Sequence, residues 1–216
     1  MDPFSMCLAL GPVAIYLLLL GALNLSRRPF LVSGTRDAAA LALAVFGLVT
    51  VGPLQLFFPL GATLTYGSLV WLFLVALYVL LVVLLALLMR PRLVVYNISA
   101  GELRPVLASL AVELDREARW AGDSLVLPSL GVQLHLDAVA ALRNVSLISN
   151  GPAQSHDGWR RLEQALAVRL DDLEVARNPC AVSFLTAGTL IAVFLVLLIA
   201  QDPQAVAQSL FEMLRW

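Results

Sequence analysis

The dominant pattern in this chain is four long apolar runs, separated by segments that mix polar and apolar residues. Each run has about twenty residues and no charged side chain. Since an α-helix rises 1.5 Å per residue, about twenty residues cross the roughly 30 Å hydrocarbon core of a bilayer. The pattern therefore predicts four transmembrane helices, at Met6–Leu25, Ala38–Phe58, Leu69–Met89 and Ala181–Ala200.

Two of these runs depart from a simple apolar helix. The second run is interrupted by Gly52 and Pro53 and ends at Pro59. The first run lies near the N-terminus, but no positive charge precedes it, and Arg27 and Arg28 follow it. This order of charges is the reverse of a cleavable signal peptide, so we expect the first helix to be retained.

The arginines near the apolar runs are unevenly distributed. None occurs before the first run or in residues 59–68. Arg27, Arg28 and Arg36 follow the first run, and Arg90, Arg92 and then Arg104 follow the third, whereas the tail after the fourth run has only Arg215. By the positive-inside rule this asymmetry predicts an inner (plasma) membrane protein with both termini on the outer side and the long segment after the third run in the cytoplasm.

Residues 91–179 form the only segment long enough to fold in water, and its first part reads as a strand followed by a helix. Leu93–Ile98 is rich in β-branched residues, which favours a strand. Ser99 and Glu102 have the spacing of a capping box. Apolar residues then recur at helical spacing, which predicts a helix that continues to about Arg116 or Arg119.

Three strands and a second helix follow in the pattern. A strand begins at Leu125–Leu127, and Pro128–Gly131 reads as a hairpin connection to an alternating strand that starts at Val132. Asn144–Ser149 alternates in the same way. A second amphipathic helix starts at Asp157 and ends near Asn178 and Pro179. The order β-α-β-β-β-α predicts a mostly antiparallel sheet with both helices on one face.

The predicted fold class is therefore a mostly α membrane protein with four transmembrane helices and a small cytoplasmic α+β domain inserted between helices 3 and 4. Residues 1–90 form a three-helix transmembrane region, residues 91–179 the α+β domain, and residues 180–200 the fourth transmembrane helix. The tail, residues 201–216, is amphipathic. It either lies along the outer membrane surface or is a frayed end of the fourth helix.

Composition narrows the class of protein. Apolar residues make up 60% of the chain and charged residues 13%, which excludes a disordered chain and a fully soluble enzyme. The net charge of −1 gives no electrostatic reason to expect nucleic acid. Lysine is absent while arginine is abundant, a bias typical of a GC-rich bacterial genome. The two cysteines and two histidines show no metal-ligand spacing, so no metal or cofactor is predicted.

Two groups of residues in the α+β domain have side chains suited to acid–base chemistry. His135 and His156 carry imidazole rings, which can act as general bases, but neither has a nucleophile at motif spacing, which favours exposed surface histidines. The second group is a small acidic cluster, and a solvated helix face is the favoured interpretation of it. Its members are Glu113, Asp115, Glu117 and Asp123.

The arginines at the predicted cytoplasmic boundary are the only candidate site residues: Arg27, Arg28, Arg90 and Arg92. Their simplest role is to determine topology, and the same positions suit the binding of anionic lipid headgroups or of an acidic partner. Small residues also mark helix-packing faces, either within the chain or in a homo-oligomer. These are Ala40, Ala44, Gly47, Gly188 and Ala192.

Three stretches of the sequence resemble those of uncharacterised bacterial multi-pass membrane proteins. They are Asn24–Phe30, Gly52–Pro59 and Arg90–Asn97. The resemblance implies a multi-pass membrane protein and brings with it no activity and no site residue.

The leading hypothesis is a non-catalytic accessory, scaffold or sensor protein whose cytoplasmic domain binds a partner protein, or which forms a homo-oligomer. One alternative is a small transporter or a subunit of a transport complex, suggested by the break at Gly52 and Pro53 and by Gln55 and Tyr78. The other is a membrane enzyme that acts on lipid through His135 or His156.

Overall fold

The computed structural model describes residues 3–54, 69–152, 154–204 and 206–208. Within these residues it contains four helices long and apolar enough to span a membrane, and one six-stranded antiparallel sheet. The chain divides into two compact units. We call residues 1–20, 38–88 and 183–216 the apolar-helix unit, and residues 21–37 and 89–182 the α+β unit.

The long apolar helices occur where the apolar runs predict them. They are α1 (Pro3–Leu25), α2 (Gly34–Val49), α3 (Leu69–Leu88) and α6 (Cys180–Gln201). The second helix begins earlier than predicted, and its α-helical part ends at Val49. A π-helical turn, Thr50–Leu54, follows at the predicted interruption. Proline has no backbone N–H to donate, and Pro53 lies in this wider turn. The predicted end of this run, residues 55–58, lies outside the described residues.

Two glycines allow close helix contacts inside the apolar-helix unit. A Cβ atom at Gly47 would overlap the backbone of Leu8, and one at Gly188 would lie 2.9 Å from the Leu18 side chain and 3.2 Å from the carbonyl oxygen of Ala14. Of the two possibilities left open for these small residues, packing within the chain therefore accounts for both glycines.

Besides the ends of α1, α2 and α6, the described residues of the α+β unit form six strands, two α-helices and two short 3₁₀ helices, Pro128–Leu130 and Ala140–Leu142. The strands are β1 (Phe30–Ser33), β2 (Arg92–Tyr96), β3 (Arg119–Ala121), β4 (Ser124–Leu127), β5 (Val132–Val139) and β6 (Asn144–Ser149). The helices are α4 (Ala100–Leu114) and α5 (His156–Asp171). The sheet order is β1-β2-β6-β5-β4-β3, with every neighbouring pair antiparallel.

The two helices pack on one face of the sheet, as predicted. Alternate residues of the strands, such as Leu93, Leu134 and Leu147, are buried together with Leu107 of α4 and Leu166 of α5 in one core cluster. The predicted capping box is also present: the Ser99 hydroxyl accepts from the Glu102 N–H, and the Glu102 carboxylate accepts from the Ser99 N–H. At the predicted hairpin, Gly131 has a φ of 61°, a conformation that suits glycine.

Three features of the unit differ from the sequence prediction. The second helix, α5, ends at Asp171 and not near Asn178 and Pro179. The first helix ends at Leu114, earlier than predicted, and Arg119–Ala121 forms β3 instead of a helix end and a turn. In addition, Phe30–Ser33, in the loop between the first two apolar helices, forms the edge strand β1. The sheet is therefore assembled from two separate parts of the chain.

Candidate functional site

Three buried asparagines lie where the apolar helices join the α+β unit. Asn24 is in the last turn of α1, Asn97 follows β2, and Asn178 precedes α6; their exposed fractions are 2%, 0% and 2%. A buried amide must find hydrogen-bond partners or lose its hydration without compensation. We call these three residues the asparagine junction, and all three belong to the α+β unit.

Asn178 connects the end of α1 to the beginning of α6. Its Nδ2 donates to Oδ1 of Asn24 at 2.9 Å and to the carbonyl oxygen of Leu142 at 2.8 Å. Its Oδ1 accepts from the N–H of Cys180, the first residue of α6, at 3.0 Å. One side chain therefore caps α6 and holds the last turn of α1.

Asn97 turns the chain out of β2 and binds the first loop. Its φ is 62°, a left-handed conformation that asparagine adopts more readily than most residues. Its Nδ2 donates to the carbonyl oxygen of Ser26 at 2.6 Å and to that of Arg28 at 3.4 Å. Its Oδ1 is buried and has no hydrogen-bond partner among the described residues.

A second polar contact fixes the start of α2. Arg92 donates to Oδ2 of Asp37 at 3.0 Å, and the Tyr96 hydroxyl donates to Oδ1 at 2.5 Å. A Cβ atom at Gly34 would overlap the Arg92 side chain, so the helix start lies directly against this arginine. Asp37 is also in the first turn of α2, where the helix dipole favours a negative charge.

Backbone hydrogen bonds hold the first loop on both sides. On one side β1 pairs with β2, with Phe30 opposite Tyr96 and Ser33 opposite Leu93. On the other side the Val175 N–H donates to the carbonyl oxygen of Arg27 at 2.8 Å. The ends of α1, α2 and α6 that belong to the α+β unit are thus joined to it by hydrogen bonds.

The capping box of α4 has a second function in this region. Glu102 accepts from Arg143 at 2.8 Å in addition to its bonds with Ser99. Burial by itself raises the pKa of the Glu102 carboxyl, but the hydrogen bonds and the positive charge together lower it below its usual value. The backbone of Arg143 is left-handed, with a φ of 50°, and its carbonyl oxygen accepts from Ile98.

The structure disperses the predicted acidic cluster. Glu113 pairs with Arg169 of α5, and Asp123 pairs with Arg104. Asp115 is buried just beyond the end of α4, which corrects its assignment to a solvated helix face. These carboxylates therefore do not converge on one cleft.

The Asp115 carboxylate is a structural acceptor. It accepts from the Glu117 N–H at 2.9 Å, from the Ser129 N–H at 2.7 Å and from the Ser129 hydroxyl at 2.8 Å. Burial alone raises its pKa, but the three hydrogen bonds outweigh that effect, so the pKa of Asp115 lies below its usual value.

The four arginines singled out from the sequence divide into two pairs. Arg92 is committed to Asp37, and Arg28 lies 3.4 Å from Asp171 in an exposed ion pair. Arg27 and Arg90 are exposed and have no ion pair with any described residue. The sequence pattern does not indicate the partner of Arg92, because Asp37 is 55 residues away in the sequence.

The histidines lie in separate places. His135 is exposed on β5, and its Nδ1 is 3.2 Å from the hydroxyl of Ser124 on the neighbouring strand. His156 is exposed at the first position of α5. Strand pairing, which the sequence pattern does not specify residue by residue, brings Ser124 opposite His135.

The cysteines and other metal-binding side chains form no cluster in the described part of the chain. Cys7 and Cys180 form no disulfide, and no group of three histidine, cysteine, aspartate or glutamate residues is found there. No protein-family model matches the chain, and no curated protein or solved structure was found to be similar to it.

Proposed function

We propose that this chain is an integral membrane protein, an accessory, scaffold or sensor, whose α+β unit is cytoplasmic and binds a partner protein. The observation that carries the proposal is the way the unit is built. Residues at the ends of three apolar helices belong to it and are held there by the asparagine junction and by Asp37. A partner bound to such a unit acts directly on the ends of the apolar helices.

The proposal also draws on the distribution of arginine. Every arginine near a described apolar helix lies at the end that joins the α+β unit. By the positive-inside rule this supports a cytoplasmic position for that unit in a bacterial inner membrane.

The test is site-specific photocrosslinking in the membranes of the native host. The chain has no lysine, so lysine-reactive crosslinkers would not report on it. A photoreactive residue is placed at Gln133, which is exposed on β5, at Arg160, which is exposed on α5, and, as a control, at Leu197, which is 57% exposed on α6.

We expect one defined protein to crosslink from Gln133 or Arg160 and not from Leu197, and to copurify with the uncrosslinked chain in stoichiometric amount. If neither position yields a crosslink and the chain purifies alone, the proposal of a protein partner is wrong. A crosslink to a second copy of the chain at the same positions would identify a homo-oligomer instead.

A transport role is the second candidate, supported by the π-helical turn Thr50–Leu54. Such a turn interrupts regular hydrogen bonding within a span, and discontinuous helices line the substrate sites of some transporters. The Tyr78 hydroxyl, however, already donates to the carbonyl oxygen of Ala42 at 2.6 Å. Gln55 lies outside the described residues. Uptake and efflux of a broad solute panel, with and without the gene, tests this role.

An enzyme acting on lipid is the third candidate, and the Ser124–His135 contact favours it. A hydroxyl within hydrogen-bond reach of an imidazole is the minimal nucleophile–base pair. Replacement of Ser124 or His135 by alanine should abolish turnover of a lipid ester by the purified chain. Activity that persists in both variants would exclude this pair as its origin.

A further inference from the structure

Eight exposed arginines of the α+β unit have no ion pair with any residue that the structure describes, and they fall into two groups of four. Each arginine of the first group lies either in the terminal turn of an apolar helix or within three residues of its end. We call this group the boundary arginines: Arg27, Arg36, Arg90 and Arg177. The second group lies elsewhere in the unit: Arg116, Arg119, Arg160 and Arg161.

The boundary arginines are attached to all four apolar helices, one to each. Arg27 follows the last residue of α1 by two positions, and Arg36 is the third residue of α2. Arg90 follows the last residue of α3 by two positions, and Arg177 precedes the first residue of α6 by three. A helix that crosses a bilayer therefore places each of these guanidinium groups at the level of the lipid headgroups.

The fold of the α+β unit arranges the boundary arginines as two pairs. Arg36 and Arg90 flank the end of the β1–β2 ladder at which Ser33 lies opposite Leu93. Arg27 lies near the other end, and the hydrogen bond from Val175 to its carbonyl oxygen brings the segment containing Arg177 beside it. The four-residue ladder itself spans about 10 Å along the strands.

The acidic side chains that the structure describes near the boundary arginines do not pair with them, so these guanidinium groups are available to bind an anion. The one acid in residues 21–37, Asp37 in the first turn of α2, is neutralised by Arg92. Asp172 and Glu174 are exposed and lie in the segment before Arg177, but neither is within 4 Å of a guanidinium group among the described residues. Arginine suits phosphate because its planar donor fork binds two oxygens at once.

We propose that the boundary arginines bind the phosphate groups of anionic phospholipids in the cytoplasmic leaflet. The inference rests on the proposed membrane insertion and orientation and is independent of any protein partner. Two of the four arginines singled out from the sequence, Arg28 and Arg92, have carboxylate partners and are therefore not among the proposed headgroup ligands. Arg36 and Arg177 take their places.

The test is the response of the full chain in a neutral mild detergent to added phosphatidylglycerol, measured as the thermal midpoint of its helical circular dichroism. The variant R27Q/R36Q/R90Q/R177Q removes the boundary arginines. The matched control R116Q/R119Q/R160Q/R161Q removes the same charge from the same unit. A basic residue near an anionic surface contributes about 1 kcal/mol, which corresponds to about a fivefold change in affinity per arginine.

We expect phosphatidylglycerol to raise the midpoint of the wild-type chain and phosphatidylcholine not to raise it. The boundary variant should need at least about tenfold more phosphatidylglycerol for half of the effect, and the control variant should remain within about twofold of wild type. High salt should weaken the wild-type response because exposed charges are screened.

Several results would overturn the proposal. If the response to phosphatidylglycerol is lost equally in the two quadruple variants, the response depends on net charge alone. An equal response to inorganic phosphate would indicate a free anion as the ligand. If the boundary variant does not fold, R36Q/R90Q and R27Q/R177Q are compared separately. An unchanged response in both double variants would then contradict the proposal.

Membrane insertion is measured separately by resistance of the liposome-reconstituted chain to extraction at alkaline pH. If the wild-type chain is extracted at alkaline pH, the proposed function is wrong. If it remains inserted but shows no preference for phosphatidylglycerol, only the role of the boundary arginines is wrong.

Discussion

The buried asparagines show how single side chains join distant segments of this chain. Each amide offers a donor and an acceptor without a charge, so its burial is tolerated where both find partners. The Nδ2 of Asn178 donates to Asn24 and to the carbonyl oxygen of Leu142, and its Oδ1 accepts from the N–H of Cys180. These contacts join residues up to 154 positions apart, so the sequence pattern around any one of them does not reveal its partner.

Replacing Asn178 by alanine should destabilise the chain. The substitution leaves the Leu142 carbonyl oxygen and Oδ1 of Asn24 without this donor and removes the acceptor for the Cys180 N–H. An unsatisfied buried polar group costs about 1–3 kcal/mol, so we expect at least ~2 kcal/mol in total. The measurement is thermal unfolding in detergent.

The expected loss corresponds to a decrease of roughly 4–8 °C in the unfolding midpoint for a chain of this size. Asn150→Ala, at an exposed position, is the control and should change the midpoint little. Equal midpoints for Asn178→Ala and the wild type would show that the junction does not contribute to stability.

The buried carboxylate of Asp115 predicts a particular dependence of stability on pH. Its pKa is lower in the folded chain than the ordinary value of 3.8, so the unfolded chain binds the proton more tightly. The stabilisation is therefore complete above about pH 3.8 and is lost as the pH falls through the lower folded pKa. Asp115→Asn removes this titration and should flatten the stability curve below pH 4.

Thermal midpoints between pH 6 and pH 2.5 measure this effect. Ser129→Ala removes one of the three donors to Asp115 and should give an intermediate curve. The assignment to Asp115 is wrong if Asp115→Asn loses stability with falling pH as steeply as the wild type does.

At the scale of elements, the sequence predicts those structures whose signals are local. Helices α4 and α5, the capping box at Ser99 and the hairpin at Gly131 all depend on residues a few positions apart. Strand β1 has no such signal, because it is four residues long and its partner β2 lies 59 or more positions further along the chain. The sequence pattern places the end of α4 too late, because the role of Asp115 depends on its contact with Ser129.

Close packing of α1 against α2 gives a prediction at the element scale. Gly47→Ala should destabilise the apolar-helix unit, since the new Cβ overlaps the backbone of Leu8 and a backbone cannot move aside cheaply. Overpacking of this kind costs about 1–3 kcal/mol. Gly11→Ala in α1 is the matched control, because nothing lies within 4 Å of its Cβ position.

Thermal unfolding in detergent should show a lower midpoint for Gly47→Ala and an unchanged or slightly higher one for Gly11→Ala, since alanine favours helix over glycine. A decrease of the same size in both variants would mean that the effect is not caused by the contact with Leu8.

At the scale of the whole molecule, the division of the chain is less simple than an insertion between two helices. The α+β unit includes residues 21–37 as well as 89–182, so it comprises the segments that follow α1 and α3. Composition and apolar run lengths indicate the membrane class, because those signals add up over many residues. They give no information on which arginines are free, since that depends on partners such as Asp37 and Asp171.

The proposed orientation makes a prediction for the whole chain, tested by labelling single cysteines in bacterial cells. In a background with Cys7 and Cys180 replaced by alanine, a cysteine at Ala207 should react with a membrane-impermeant maleimide in intact cells, because the proposed orientation places the termini on the outer side. A cysteine at Val168, 68% exposed on α5, should react only after the cells are opened, because the same orientation places its unit in the cytoplasm. A cysteine at Leu190, near the middle of α6 and 70% exposed, is the control and should react in neither state, because lipid excludes the reagent. Reaction at Val168 in intact cells would reverse the orientation, and the boundary arginines would then face the outer leaflet.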